Sequence, residues 1–488
     1  MNDPELVHVA ADPLEETALR AFGVSYLYPI QRFVMSNILE GRDQIVVLPT
    51  GAGKSLCFQL PALLLPGPTL VIMPLLALMA DQLRKLEAAG VPAAPLRGGL
   101  SPAERDALFA RIRTGGVRLV LATPEICLVP SIEERLSACR FAHFVVDEAH
   151  CVSEWGRTFR PSYRDIGPLC ARLGVPSLTA FTATASPDVL ADVKLQLFAG
   201  RDVRIVETNP DRPNISYGVQ AVLSRLHAIT TLLRESDGSC LVFCRTRKGT
   251  EMTARELARR LPDRVVRFYH AGLDAPERKS CEAWFLDARN GVLCSTSAYG
   301  MGVDKPDIRM VVHAHVPASI EAYLQESGRA GRDGKPGKAI LLSGSDEAEH
   351  AARLDETARR RFDRMRGYAE QAGSCRRNEL LSLIGQPEVA CSGCDVCDGT
   401  VQQYPAGSQK IRDFVGRYRR RFTVSDAADI LTGARGPRAE RAFHDCLRGS
   451  GVLSDWETED VETAIRALLR TGELRIVRRG PWKERLTT

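Results

Sequence analysis

QIVVLPTGAGKS, residues 44–55, decides the fold of this chain. QIVVL is a short run rich in β-branched residues, which suits a buried strand. LPTGAGKS follows it, and LCFQLPALLL then continues with a helical pattern. Strand, glycine-rich turn and helix in that order form a phosphate-binding loop. Glycines let backbone N–H groups approach phosphate oxygens, and the helix N-terminus adds the positive end of its dipole. Thr50, Gly51 and Gly53 shape the loop. Lys54 reaches the β- and γ-phosphates, and Ser55 is placed to hold Mg²⁺.

A second element completes such a site. HFVVD (143–147) reads as a strand ending in Asp147-Glu148-Ala149-His150. An aspartate at a strand tip holds Mg²⁺ through water, and the adjacent glutamate polarises the attacking water of a nucleotide hydrolase. Further strands are expected at 69–73, 118–122 and 178–182. A second series falls at 240–244, 265–269, 292–296, 309–313 and 339–343, beyond the polar stretch TNPDRPN (208–214). Strand–helix alternation implies parallel sheets covered by helices on both faces, and two series imply two α/β domains in tandem. In the second, QESGRAGRDG (325–334) sets Arg329 and Arg332 three residues apart, expected on one helical face as a phosphate clamp. Arg332 is the candidate arginine finger.

The 488 residues are too many for one core. The acidic N-terminus lacks the apolar run of a secretory signal, and no stretch is long and apolar enough to span a bilayer. Of fourteen cysteines, ten are scattered, many in apolar strand-like runs, and read as small buried hydrophobes. Cys375, Cys391, Cys394 and Cys397 form C-x15-C-x2-C-x2-C, a spacing that closes a structural Zn²⁺ site. Unligated thiols and an iron–sulfur cluster are the alternatives. The net charge is +5, and residues 401–488 carry 17 Lys and Arg against 12 Asp and Glu, which accounts for all of it. A basic C-terminal module points to nucleic acid.

With these motifs placed, the chain resembles the RecQ family of superfamily 2 DNA helicases over roughly residues 15–400. The likeness rests on AFG…Q (21–31), LPTGAGKSLCFQLPAL, MPLLALMADQ (73–82), ATPE (122–125), DEAHCVSEWG, FTATA (181–185), FYHAGL (268–273), SAYGMGVDKPDIRMVVH (297–313), QESGRAGRDG and the cysteine pattern. The resemblance implies two RecA-like parallel-sheet domains, 1–207 and 208–346. A helical zinc-binding subdomain (347–400) and a winged helix (401–488) follow. It implies ATP-driven 3′–5′ unwinding in DNA repair and recombination, with ATP, Mg²⁺ and Zn²⁺. The expected partners are single-stranded and duplex DNA and a single-strand-binding protein. The expected state is a monomer in the bacterial cytoplasm, at the nucleoid. Gln31 would hydrogen-bond adenine. The stretch after the acids would be an aromatic loop sensing single-stranded DNA: Trp155 and Phe159 offer π-faces to bases, and Arg157 and Arg160 meet phosphates.

Departures bear on coupling and on nucleotide choice. Arg157-Thr158 stands where the family has His-Asp. Val24 and Tyr28 replace the family's stacking Tyr and its Arg, leaving Tyr26 or Tyr28 to stack on the base. In the C-terminal segment a helix capped at Ser425 is expected, then a helix and a β-wing around Gly480-Pro481. Arg419, Arg420, Arg478 and Arg479 are the candidate contacts to duplex phosphates, and Trp482 is a candidate strand-separating wedge. Two alternatives to a helicase stay open: a translocase or RNA remodeller without DNA unwinding, and a nucleotide-gated DNA-binding scaffold.

Overall fold

The computed structural model describes residues 12–49, 51–154, 161–297, 305–434, 447–479 and 481–488. The chain divides into two units, Met1–Pro210 and Asp211–Thr488, and the division falls inside the TNPDRPN stretch.

The first unit is built on seven strands: β1 (Gln44–Val47), β2 (Thr69–Ile72), β3 (Ala93–Leu96), β4 (Leu119–Ala122), β5 (His143–Val146), β6 (Leu178–Thr182) and β7 (Arg204–Glu207). They pair in the order β3-β4-β2-β5-β6-β1-β7, every pair parallel. Both faces carry helices, so the central strands are buried along their whole length and read as unbroken apolar runs. The order sets the site: the strand feeding the phosphate loop (β1) and the strand ending in the acids (β5) lie on either side of β6. β3 contains Pro95, tolerable because it is an edge strand whose N–H on one side needs no partner.

The second unit opens with six parallel strands: β8 (Ile215–Ala221), β9 (Ser239–Phe243), β10 (Val266–Tyr269), β11 (Val292–Ser295), β12 (Ile308–His313) and β13 (Gly337–Ser343), in the order β10-β11-β9-β12-β13-β8. Helices Glu356–Glu370 and Arg376–Leu383 follow, then the cysteine loop. That loop runs along the outer edge of β8. Tyr217 N–H donates to Gly393 O, Asp395 N–H to Tyr217 O (3.0 Å), and Val219 N–H to the Asp395 carboxylate (2.9 Å).

The C-terminal segment packs helices Ser408–Arg417, Val424–Thr432 and Thr458–Arg470 against a hairpin of β14 (Arg475–Ile476) and β15 (Leu486–Thr487). Its core includes Phe414, Leu431 and Ile465, together with Leu223 from the six-stranded domain. The expected cap at Ser425 is corrected to Thr423. Thr423 Oγ1 accepts the Asp426 N–H, and the Asp426 carboxylate accepts the Thr423 N–H in return, the reciprocal pattern of a capping box. Ser425 lies inside the helix and donates to Glu462. The segment is bolted to the six-stranded domain by a buried ion pair, Arg260–Asp460 at 2.5 Å. A Ser224–Asp460 hydrogen bond and the His227 ring stacked on Trp456 add to it.

Candidate nucleotide site and metal centre

Gly53 caps the helix Lys54–Leu64 in the left-handed region, at φ +76°. A Cβ there would lie 2.4 Å from the Gln31 amide nitrogen, so only glycine fits. Gln31 is buried, with both ends of its amide engaged: Nε2 donates to Ala52 O (2.9 Å), and Oε1 accepts the Tyr28 N–H (3.0 Å). In this state the residue expected at adenine braces the phosphate loop. Tyr26 and Tyr28 are exposed beside it, with rings edge to face at 5.6 Å. Thr50 lies outside the described residues.

Across β6, the expected residues come together. Lys54 Nζ lies 3.6 Å from Glu148 Oε1. Glu148 sits at φ +50°, a conformation costly for a non-glycine residue and met at functional sites. Burial, then the neighbouring Glu148 charge, pushes the Asp147 carboxyl up to about 6, against the opposing pull of Lys54. Two adjacent acids facing one lysine leave negative charge that a divalent cation would offset, so Asp147 and Ser55 suit Mg²⁺.

Three further residues belong here that sequence reasoning passed over. Gln82, the last residue of MPLLALMADQ, donates from Nε2 to Ser55 Oγ (2.8 Å) and accepts from Gln59 (2.6 Å), which orients the serine hydroxyl. His150 Nδ1 lies 3.4 Å from Glu148 Oε2 and 3.1 Å from Thr182 Oγ1, joining the acid to the end of β6. The motifs holding Gln82, His150 and Thr182 are visible in sequence, but their mutual contacts are not.

In the second unit the expectation of a helical arginine pair is corrected. The helix Ile320–Ser327 ends with Gly328, and Arg329 and Arg332 occupy the turns that follow, where Gly331 takes φ +56°. Arg329 is buried and Arg332 half-buried.

The four cysteines converge, their ligand atoms all within 4.8 Å of one another. Cys394 and Cys375 sulfurs are 4.0 Å apart, near the about 3.8 Å edge of a tetrahedron with Zn–S bonds of about 2.3 Å. Although burial works the other way, the Cys397 and Arg376 N–H groups hold the Cys394 thiol below its usual pKa. The donor set and its spacing fit Zn²⁺. The nine other cysteines among the described residues are buried.

Trp155, Arg157, Phe159 and Arg160 lie outside the described residues. Tyr163, just beyond, is core. Arg419, Arg420, Arg478 and Arg479 are all exposed. The backbone of Arg420 and of Phe422 hydrogen-bonds to Leu486, so the 419–422 segment lies beside the hairpin. Trp482 is half exposed in the turn between its strands. Among the described residues no helix is long and apolar enough to cross a membrane.

Four family models match in succession: DEAD/DEAH box helicase at 28–193, helicase conserved C-terminal domain at 222–334, RecQ zinc-binding at 339–398 and RQC domain at 403–481. The chain is 40 % identical over 340 residues to the probable ATP-dependent DNA helicase RecS of Bacillus subtilis, covering 69 % of this chain and 68 % of that one. It is 32 % identical over 487 residues to the ATP-dependent DNA helicase RecQ of Pasteurella multocida, covering 95 % and 76 %. Among solved structures, the DEAD-box helicase Mss116 bound to ssRNA and UDP-BeF shares the fold, with a TM-score of 0.58 at 17 % identity over 94 % of this chain and 89 % of that one. Two parallel-sheet domains, a four-cysteine centre and an RQC-type winged helix, in the order of the matching models, together with the identity to these relatives, make this chain a member of the RecQ family of superfamily 2 helicases.

Proposed function

We propose that the chain is an ATP-dependent DNA helicase. It moves 3′–5′ along single-stranded DNA and unwinds duplexes in DNA repair and recombination. The observation that carries this is the convergence of Lys54, Ser55, Asp147 and Glu148 at the ends of β1 and β5. The relatives named above support DNA as the substrate. Lys54 and the loop N–H groups bind the phosphates, Ser55 and Asp147 hold Mg²⁺, and Glu148 orients the attacking water. Arg329 and Arg332 are the candidates for stabilising charge on the transferring phosphoryl group. Bound Mg²⁺ supplies neutralisation of that charge. Polarity, the repair role, a monomeric state, a cytoplasmic location and a single-strand-binding protein as partner rest on the family resemblance.

The test is steady-state ATP hydrolysis with and without single-stranded DNA, with Lys54→Ala as the blank. Strong stimulation is expected, followed by unwinding of a 3′-tailed but not a 5′-tailed duplex. Hydrolysis that DNA leaves unchanged would mean that Arg157-Thr158 has uncoupled the motor.

Arg478 and Arg479 are expected to meet duplex phosphates. Replacing both by Ala should reduce the slope of log affinity against log salt by about 0.9 for each phosphate that is no longer neutralised. An unchanged slope in duplex titrations between about 50 and 200 mM salt removes them from the interface. Point substitutions suit this test better than deleting 401–488, which would uncover Leu223 and remove Asp460, the partner of Arg260.

A further inference from the structure

The second half of the TNPDRPN stretch is not slack chain. Arg212 extends its guanidinium to three backbone carbonyls of the turn that carries Arg329 and Arg332. Nη1 donates to Gly328 O (3.0 Å), and Nη2 donates to Ala330 O (3.4 Å) and Gly331 O (3.0 Å). Asn214 adds two bonds from Nδ2, to Gly331 O and Lys335 O, both at 2.8 Å. These carbonyls follow a helix end, where the helix itself offers no donors and the dipole favours a cation. A planar guanidinium answering three of them fixes the path of the turn more firmly than three separate donors could. The fit is close: a Cβ on Gly331 would meet the Asn214 nitrogen at 2.5 Å.

This arrangement works against a repulsion. Burial, and beyond it the nearby Arg332 charge, pushes the Arg212 guanidinium below its usual pKa. The turn's carbonyls therefore hold the Arg212 charge in place despite the like charge of Arg332 nearby.

The clamp is itself anchored. Arg377, 1 % exposed, pairs with Asp211 and donates to Arg212 O (3.1 Å) and Ile215 O (2.6 Å). Its helix, Arg376–Leu383, follows directly on Cys375, one of the four converging cysteines. Arg376, one residue before it, bonds to Asp395 between Cys394 and Cys397.

We propose that Arg212 and Asn214 are positioning residues that set the Arg329–Arg332 turn for phosphoryl-group stabilisation, and that Arg377 ties this clamp to the cysteine centre. The inference rests on the reading of Arg332 given under Proposed function, and its test separates the two.

The test measures DNA-stimulated ATP hydrolysis by the full chain carrying Arg212→Ala, Arg212→Lys, Arg332→Ala or Arg212→Ala with Arg332→Ala. Arg212→Ala should lower kcat about 10- to 100-fold, the scale of a small misplacement of a catalytic group. KM for ATP should stay within about threefold, because ground-state binding is untouched. Lysine, with a single donor head, should restore only part of the loss. The double variant should be no slower than Arg332→Ala alone, since groups acting as one unit are not additive. Zinc content and melting midpoint establish folding. If Arg212→Ala fails these, Asn214→Ala carries the same comparison without removing a charge. Wild-type kcat in Arg212→Ala, or losses that multiply in the double variant, would overturn the clamp while leaving Arg332 in place. Wild-type kcat in Arg332→Ala would overturn the arginine assignment, and the clamp with it.

Discussion

Glu148→Gln is expected to slow ATP hydrolysis by about 10²- to 10⁴-fold, the usual contribution of a positioned general base. Nucleotide should still bind. The amide keeps the shape of the side chain, so the turn at φ +50° and the packing around it persist. Binding should also escape the usual penalty for an altered acid pair. The Glu148 charge is what opposes ionisation of Asp147 after burial itself, and removing it lets Asp147 ionise more readily for Mg²⁺. The defect is therefore confined to kcat. Steady-state rates beside titration with a fluorescent ATP analogue would check this. A kcat within tenfold of wild type would take Glu148 out of the water-activating role.

Cys394→Ser is the second large effect. Four-thiolate zinc centres contribute on the order of 10–16 kcal/mol, whereas whole domains are stable by only about 5–15 kcal/mol. Losing the metal thus exceeds the net stability that the second unit can hold in reserve. Cys394 is fully buried, and its sulfur accepts the Cys397 N–H (3.3 Å); a serine oxygen could still accept that N–H, so the loss is that of the thiolate ligand. The variant should retain little zinc and be cleaved by protease within the second unit under conditions that leave wild type intact. Elemental analysis and limited proteolysis measure both. Zinc content and cleavage like those of wild type would refute the structural role of the centre.

Much of the fold could be read from the sequence because buried parallel strands are continuous apolar runs. β1, β2, β5 and β6 announced themselves in this way. β3 did not: AAPL has no β-branched residue and owes its strand geometry to β4 beside it. β7, RIVE, is an edge strand with Arg204 and Ile205 exposed, so no apolar run marks it. The arginine pair was misplaced for a local reason. A three-residue spacing suits a helix, but Gly328 and Gly331 end it first. The cap at Ser425 was off by two residues because Thr423 and Ser425 are both capping types, and only the reciprocal Asp426 decides between them. The meeting of Lys54 with Glu148 and the convergence of the cysteines are legible because each rests on short motifs. The roles of Arg212, Asn214 and Gln82 were not, since each depends on a partner brought near only by the folded sheet.

β8 is the last strand of its sheet, and an unpaired outer edge would invite a strand from another molecule. Here the backbone on either side of Cys394 occupies that edge at Tyr217, and the Asp395 carboxylate accepts the N–H of Val219. The thiol centre is thus an end-stop for the sheet as well as a source of stability. If the cysteine loop detached while the sheet persisted, β8 would be left as an open edge on which another strand could pair.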